Sequence, residues 1–330
     1  MLTLTQKDNT IQIAKLVEGR KVTPVFWHPT QTDALMNSVH DVGSFNDAYF
    51  RDRFELSENQ ATEIFQGLAD ERVVEKNQSK FFKVKRHIKT HIMTTMDIAD
   101  SSGTFVVDFE PDPKKYTHHM LIAGGTASGK TFFAVDMILR NLNGPKEARR
   151  HFLIISSEWN EDSTLKPLKK EKHQQFVNGI DISENSLKES EWSTKEEFFA
   201  NEIKLRVEHA PDGAVCLLDD AMDSCCPDLL RRLINRGLRV FRHQAISLMV
   251  IIHSIRSGAW SQQAYNSIRY LVLFPRSQKG KITNYLNQDI GLPLKEARET
   301  VREFSQSGRS MIVRIHAPEC LIGSKLIKIL

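Results

Sequence analysis

The stretch that decides the fold is HHMLIAGGTASGKTFFAVDMIL, residues 118–139. Met120–Ala123 is a short apolar run and reads as a strand. Gly124, Gly125, Thr126, Ala127, Ser128, Gly129, Lys130 and Thr131 match G-x-x-x-x-G-K-[ST] in full. Phe132 to Leu139 then has helical character. A Gly-rich turn with no ligand is the bland alternative, but a turn set between a strand and a helix is the context that gives the motif meaning. Glycines let the backbone approach closely, so N–H groups converge on an anion. The helix N-terminus adds its positive end. In this reading Lys130 reaches the β- and γ-phosphates of a nucleotide such as ATP, and the Thr131 hydroxyl ligates Mg2+.

A phosphate loop of this kind needs a second carboxylate for the metal. GAVCLLDDAMD (213–223) supplies it: Ala214–Leu218 reads as a buried strand ending in Asp219 and Asp220. Asp219 is the expected metal-side carboxylate. Asp220 is the candidate to orient or deprotonate an attacking water, or it simply caps the following turn. Glu158, after the apolar run in LIISSEWNED, is a competing base at another strand end, where open α/β sheets bind ligands. Ser247–Ile252 forms a further strand tipped by His253, a candidate γ-phosphate sensor or an ordinary strand-end histidine. Ile268–Pro275 completes five parallel candidates. The expected fold class is therefore α/β: a RecA-like P-loop sheet of the ASCE type, mostly parallel and flanked by helices. The carboxylate pair and extra strands point to a hydrolysing ATPase more than to a small-molecule kinase.

EPDPKKYTHH (110–119) reads as a linker. It separates an N-terminal module, residues 1–110, from a P-loop domain, 116–330. Within the module, Gln31–His40, Phe45–Arg53 and a stretch capped by Ser57 can form helices. Val73-Val74 and Phe81–Val84 follow as a hairpin. That order suits a smaller α+β module of winged-helix type, with Lys76, Lys80, Lys83, Lys85 and Arg86 on the wing. A small helical cap with a solvated hairpin is the alternative. Two or three strands between 87 and 111 would join it to the second domain.

Walker A GGTASGKT and Walker B CLLDD, followed by NRGLRVFRHQAISLMVIIHS and NSIRYLVLFPRS, resemble the FtsK–HerA superfamily of DNA-pumping ATPases. The likeness is greatest to its viral genome-packaging branch, from poxvirus-like and other large double-stranded DNA viruses, and covers roughly Tyr116 to Glu303. It implies ATP and Mg2+ as cofactors, with Lys130 and Thr131 on nucleotide and metal, Asp219 on Mg2+ and Asp220 as catalytic acid. His253 stands where that family commonly has Gln, and Asp220 where bacterial members have Glu. Arg242 and Arg269 fall where members carry arginines that face a neighbouring subunit. Implied partners are double-stranded DNA, further copies of the chain in a ring of five or six, and capsid proteins. The implied location is the host cytoplasm or the virion.

Composition agrees without deciding. The chain has 330 residues and a net charge of +4 from 45 Lys and Arg against 41 Asp and Glu. No apolar run nears the roughly 20 residues of a membrane span, and the first residues lack signal-peptide character. Cys216, Cys225, Cys226 and Cys320 fit no zinc spacing and read as free thiols of a reducing, intracellular compartment. The mild total hides one asymmetry. Leu229–Gln288 holds ten basic residues and no acid, among them Arg232, Arg236 and Arg239 on one helical face. That face suits DNA phosphates or a neighbour's nucleotide, unless it is merely solvated. Two other functions share parts of this pattern. One is a P-loop kinase or other small-molecule phosphotransferase; the other is a nucleotide-switched, winged-helix DNA-binding regulator.

Overall fold

The computed structural model describes residues 2–4, 6, 10–27, 103–109, 117–255, 267–316 and 319–330, with the backbone of 74–76 and 82–84. The helices expected at 31–40, 45–53 and from Ser57, and residues 110–116 of the linker 110–119, lie outside the described residues. The hairpin is present: β4 (Val74–Lys76) pairs antiparallel with β5 (Phe82–Val84).

The preceding strands are β1 (Leu2–Thr3), β2 (Ile11–Glu18) and β3 (Lys21–Trp27). With β6 (Thr104–Val106) they form an antiparallel sheet in the order β1-β3-β2-β6. Glu18 pairs with Lys21 across a two-residue turn, and Gly19 takes φ +60° there. Such turns want a left-handed first residue, which glycine enters without a Cβ penalty. The β-branched and apolar runs on either side of Gly19-Arg20 are the local signal for this hairpin.

The main sheet has nine strands: β7 (Met120–Ala123), β8 (Phe152–Ser156), β9 (Val177–Asp181), β10 (Val215–Asp219), β11 (Ser247–Ile252), β12 (Tyr270–Leu273), β13 (Met311–Arg314), β14 (Cys320–Gly323) and β15 (Ile327–Ile329). Their order is β15-β14-β13-β12-β7-β11-β10-β8-β9. The six strands from β12 to β9 are parallel and the last three antiparallel. Five parallel strands had been expected; the sixth, β9, has the sequence VNGID, too polar to announce itself. β11 lies between the phosphate-loop strand β7 and the Asp219 strand β10. This additional strand is the hallmark expected of the fold class.

Helices follow in chain order: α1 (Lys130–Leu142), α2 (Glu184–Glu189), α3 (Lys195–Phe198), α4 (Leu205–Glu208), α5 (Pro227–Val240), α6 (Lys279–Gln288) and α7 (Leu294–Ser307). A π segment, Phe199–Lys204, joins α3 to α4. Strand side chains alternate between two cores. Leu121, Ala123, Leu153, Ile155, Cys216, Leu218, Leu248 and Val250 face one side with the apolar faces of α5, α6 and α7. Met120, Ile122, Phe152, Ile154, Val215, Leu217, Met249 and Ile251 face the other with α1. The N-terminal sheet packs into this second core through Ile13, Leu16, Val25, Trp27 and Phe105. It is pinned there by Phe105 N–H to Ser324 O, 2.9 Å, and by Arg140 of α1, which donates to Asp108 and to Val107 O.

Burial of Leu230, Leu233, Ile234 and Leu238 orients α5. At roughly 2 kcal/mol each, they outweigh any preference of its arginines for the sheet side. Gly237 allows the approach: a Cβ there would stand 2.7 Å from Leu248 Cδ1 and 2.8 Å from Phe241 Cε2. All four cysteines are buried and free. No helix among the described residues is long and apolar enough to cross a membrane.

Candidate nucleotide site

Four strand ends build the site. β7 ends at Ala123, which pairs with Ile252 of β11 and Leu273 of β12. The loop therefore begins level with the tips of both neighbours, and Gly124 N–H donates to Ile252 O at 3.1 Å. Within the loop, Ser128 N–H donates to Gly125 O, and Phe133 N–H to Gly129 O starts the α1 ladder. Gly129 takes φ +101° and Ala127 +59°, so successive N–H groups turn to the inside of the loop. At Gly124 a Cβ would meet Ser128 Oγ at 2.5 Å and Phe274 Cδ2 at 2.7 Å. Any side chain here would collapse the cradle, which fits a loop shaped around an anion. Lys130, 7% exposed, lies along the loop and donates to Gly125 O at 3.1 Å. The helix starts at Lys130 rather than Phe132, which puts its N-terminus on the loop itself.

Asp219, at the tip of β10, is 3% exposed. The Thr131 hydroxyl lies 3.3 Å from its Oδ2 and 3.5 Å from its Oδ1. A hydroxyl and a carboxylate converging there form a hard-oxygen donor set that suits Mg2+. Burial pushes the Asp219 carboxyl up to about 7, and the nearby charges of Asp220 and Asp162 add to this; the Thr131 hydrogen bond and Lys130 oppose it. A divalent cation at the Thr131–Asp219 pair would relieve that cost.

Asp220 follows directly, with φ +47°. Left-handed geometry is tolerated better by Asp than by most residues, yet still costs energy, and it collects at functional sites. Here it directs the Asp220 carboxylate to His253 at the tip of β11, with Nε2 to Oδ1 at 3.3 Å. The structure thus joins the expected water-orienting residue to the expected sensor. Gln278, past β12, donates to His253 O at 2.6 Å, and its Nε2 is 4.0 Å from the Cβ position of Gly125. It ties sensor to loop, and no motif in the chain marks it, because it joins the site only through the pairing of β12 with β7.

Glu158 is exposed beyond β8, in a turn whose carbonyl receives the Glu161 and Asp162 N–H groups. Trp159 holds this turn down against Gly179 of β9, where a Cβ would overlap the indole. Of the carboxylates in the turn, Asp162 is the one whose charge reaches Asp219.

Arg242 and Arg269 are not brought to the loop. Arg269 directly precedes β12 and Arg242 follows α5, so both lie at the opposite, N-terminal edge of the parallel strands. There they line a cleft with Arg239, Arg314 and His119. In one chain they cannot reach its own phosphate loop. Arg232, Arg236 and Arg239 are exposed together on α5 as the spacing predicts. Among the described residues, the ion pair on this helix is Arg231 with Asp228 at 2.8 Å. Arg256, one of the ten basic residues between Leu229 and Gln288, lies outside the described residues.

No family model matches the chain, and no curated protein matches its sequence. Solved structures do. The genome-packaging NTPase B204 of Sulfolobus turreted icosahedral virus 2, in complex with ATPγS, is similar over 66% of this chain and 97% of its own, at 16% identity and a TM-score of 0.38. The pCW3 conjugation coupling protein TcpA covers 82% of each chain at 13% identity and a TM-score of 0.38. EssC of Geobacillus thermodenitrificans, ATPases 2 and 3, is similar over 71% of this chain and 46% of its own, with 15% identity and a TM-score of 0.38.

Proposed function

We propose that the chain is an ATP-driven translocase of double-stranded DNA, working as a ring and packaging a viral genome into a capsid. The observation that carries the ATPase part is the contact between Thr131 and Asp219 across the loop, with the Asp220–His253 pair beside it. Lys130 and the loop N–H groups bind the β- and γ-phosphates. Thr131 and Asp219 would hold Mg2+, which when bound would draw charge from the phosphate oxygens. Asp220 orients a water and takes its proton as the oxygen attacks the γ-phosphorus and the bond to the β-phosphate oxygen breaks. His253 positions the Asp220 carboxylate and links its state to β11.

The DNA part rests on charge placement. The exposed arginines of α5 offer one cationic face without a carboxylate on Arg232, Arg236 or Arg239 among the described residues. Phosphate backbones bind such faces without sequence preference. Ring action accounts for the position of Arg242 and Arg269, which lie at the strand edge remote from the chain's own loop. Capsid proteins are the further partners this role requires.

The test is the ATPase rate with and without duplex DNA, beside Lys130→Ala, and the assembly state with an ATP analogue and DNA present. Stimulation by duplex and a closed oligomer are expected. Equal rates with and without DNA, or no assembly under any condition, would overturn the motor.

A further inference from the structure

The flank of the phosphate loop away from Asp219 carries its own cation. Arg309 lies in the turn between α7 and β13. Its Cδ and Nη1 both come to 3.2 Å from the point where a Cβ on Gly129 would stand. The side chain is exposed, and among the described residues it has neither a carboxylate partner nor a hydrogen bond. This turn is held firmly. Gly308 N–H donates to Phe304 O at 3.1 Å, Ser324 Oγ to Ser307 O at 2.7 Å, and Arg276 Nε to Ser305 O at 2.9 Å. Met311 pairs with Leu273, and Leu273 with Ala123, so the sheet itself sets Arg309 level with the loop.

Direction along the sheet separates its role from that of the acidic residues. Asp219 stands two strands from β7 on one side, beyond β11; Arg309 precedes a strand two away on the other side, beyond β12. A nucleotide whose metal-bearing phosphates faced Asp219 would have its α-phosphate end on the opposite flank, toward β12 and β13. We infer that Arg309 holds the α-phosphate end of the nucleotide, in the same chain as the loop. This rests on the nucleotide reading of the loop. Its ligand class is nucleoside 5′-phosphates, whatever the number of phosphates beyond the first. A contact at that end is equally strong before and during γ-phosphate transfer, so it sets KM and leaves kcat alone.

The experiment is calorimetric titration of the wild-type chain, Arg309→Ala, Arg309→Lys and Lys130→Ala with ADP and ATPγS, together with steady-state ATPase kinetics. Thermal unfolding of each variant confirms that it is folded. We expect Arg309→Ala to weaken both nucleotides by about tenfold, as for a charge-assisted hydrogen bond, to raise KM by the same factor and to leave kcat within about twofold. Arg309→Lys should recover part of the affinity. Unchanged affinity in Arg309→Ala would overturn the inference. So would a fall in kcat at constant KM, which would place the guanidinium at the γ-phosphate. Failure of the nucleotide reading itself has a different signature: wild-type chain that binds neither nucleotide, or Lys130→Ala that binds as wild type.

Discussion

His253 Nε2 lies 3.3 Å from Asp220 Oδ1, joining the tips of β11 and β10 beside the phosphate loop. The pair exists because Asp220 turns left-handed directly after the strand. Asn enters that backbone region as readily as Asp, so Asp220→Asn removes the charge without moving the chain. We expect its ATPase kcat to fall by about 10²–10⁴-fold with nucleotide affinity within a fewfold of wild type. His253→Ala should cost less. The double variant should fall short of the product of the two, because the residues share one contact. Multiplicative losses in steady-state assays would argue that they act apart.

Asp219 is ionised at a cost. Its folded carboxyl, near 7, lies above the ordinary 3.8, so the nucleotide-free fold binds more protons than the unfolded chain between those values. That contribution to stability is present near pH 4 and is lost as pH rises through about 7. Asp219→Asn should therefore stabilise the nucleotide-free protein at pH 8, on the order of 2 kcal/mol, and abolish the further stabilisation that Mg2+ gives with an ATP analogue. Thermal melts at pH 5 and pH 8, with and without Mg2+ and analogue, read both effects. Destabilisation at pH 8 without ligand would contradict the burial argument.

His118 and His119 make the fold acid-sensitive. His118 is stacked on Tyr270 at 4.5 Å, and burial, with Arg150 and Arg269 nearby, holds it well below its ordinary range. Burial and then Arg242 lower His119 to about 4, and its Nδ1 accepts the Leu248 N–H at 3.1 Å. Unfolded histidines bind protons near 6.5, so stability is full above that pH and falls as pH drops toward 4. His119 alone accounts for about 3 kcal/mol of this loss. Urea midpoints should fall between pH 7 and 4.5, and His119→Asn, which keeps an acceptor for Leu248, should flatten the slope. An unchanged slope would reassign the acid sensitivity to other groups.

Arg232, Arg236 and Arg239 form the exposed face of α5. If all three track duplex phosphates, replacing them with Gln should lower the steepness of log affinity against log salt by about 0.9 for each lost contact. Fluorescence anisotropy of a labelled duplex over a salt series measures this. A slope equal to that of wild type would remove α5 from the DNA contact.

The residues of the phosphate loop and the Asp219–Asp220 pair were legible in the chain because their chemistry is local. G-x-x-x-x-G-K-[ST] must bend one way between a strand and a helix, and a buried apolar run ending in two carboxylates has few other uses. The near-continuous apolar runs of β7, β8, β10, β11 and β12 likewise pointed to a parallel sheet, since both faces of such strands meet a core. What adjoins the loop was not legible. Gln278 and Arg309 reach it from beyond β12 and before β13, and no spacing along the chain encodes a register set by hydrogen bonds between non-consecutive strands. The same holds for Arg242 and Arg269, which motif order places near the chemistry and the direction of β12 and α5 places at the far edge of the sheet. The chain by itself determines which groups the protein owns; strand order and pairing register decide which of them meet, because these depend on long-range burial that no local pattern records.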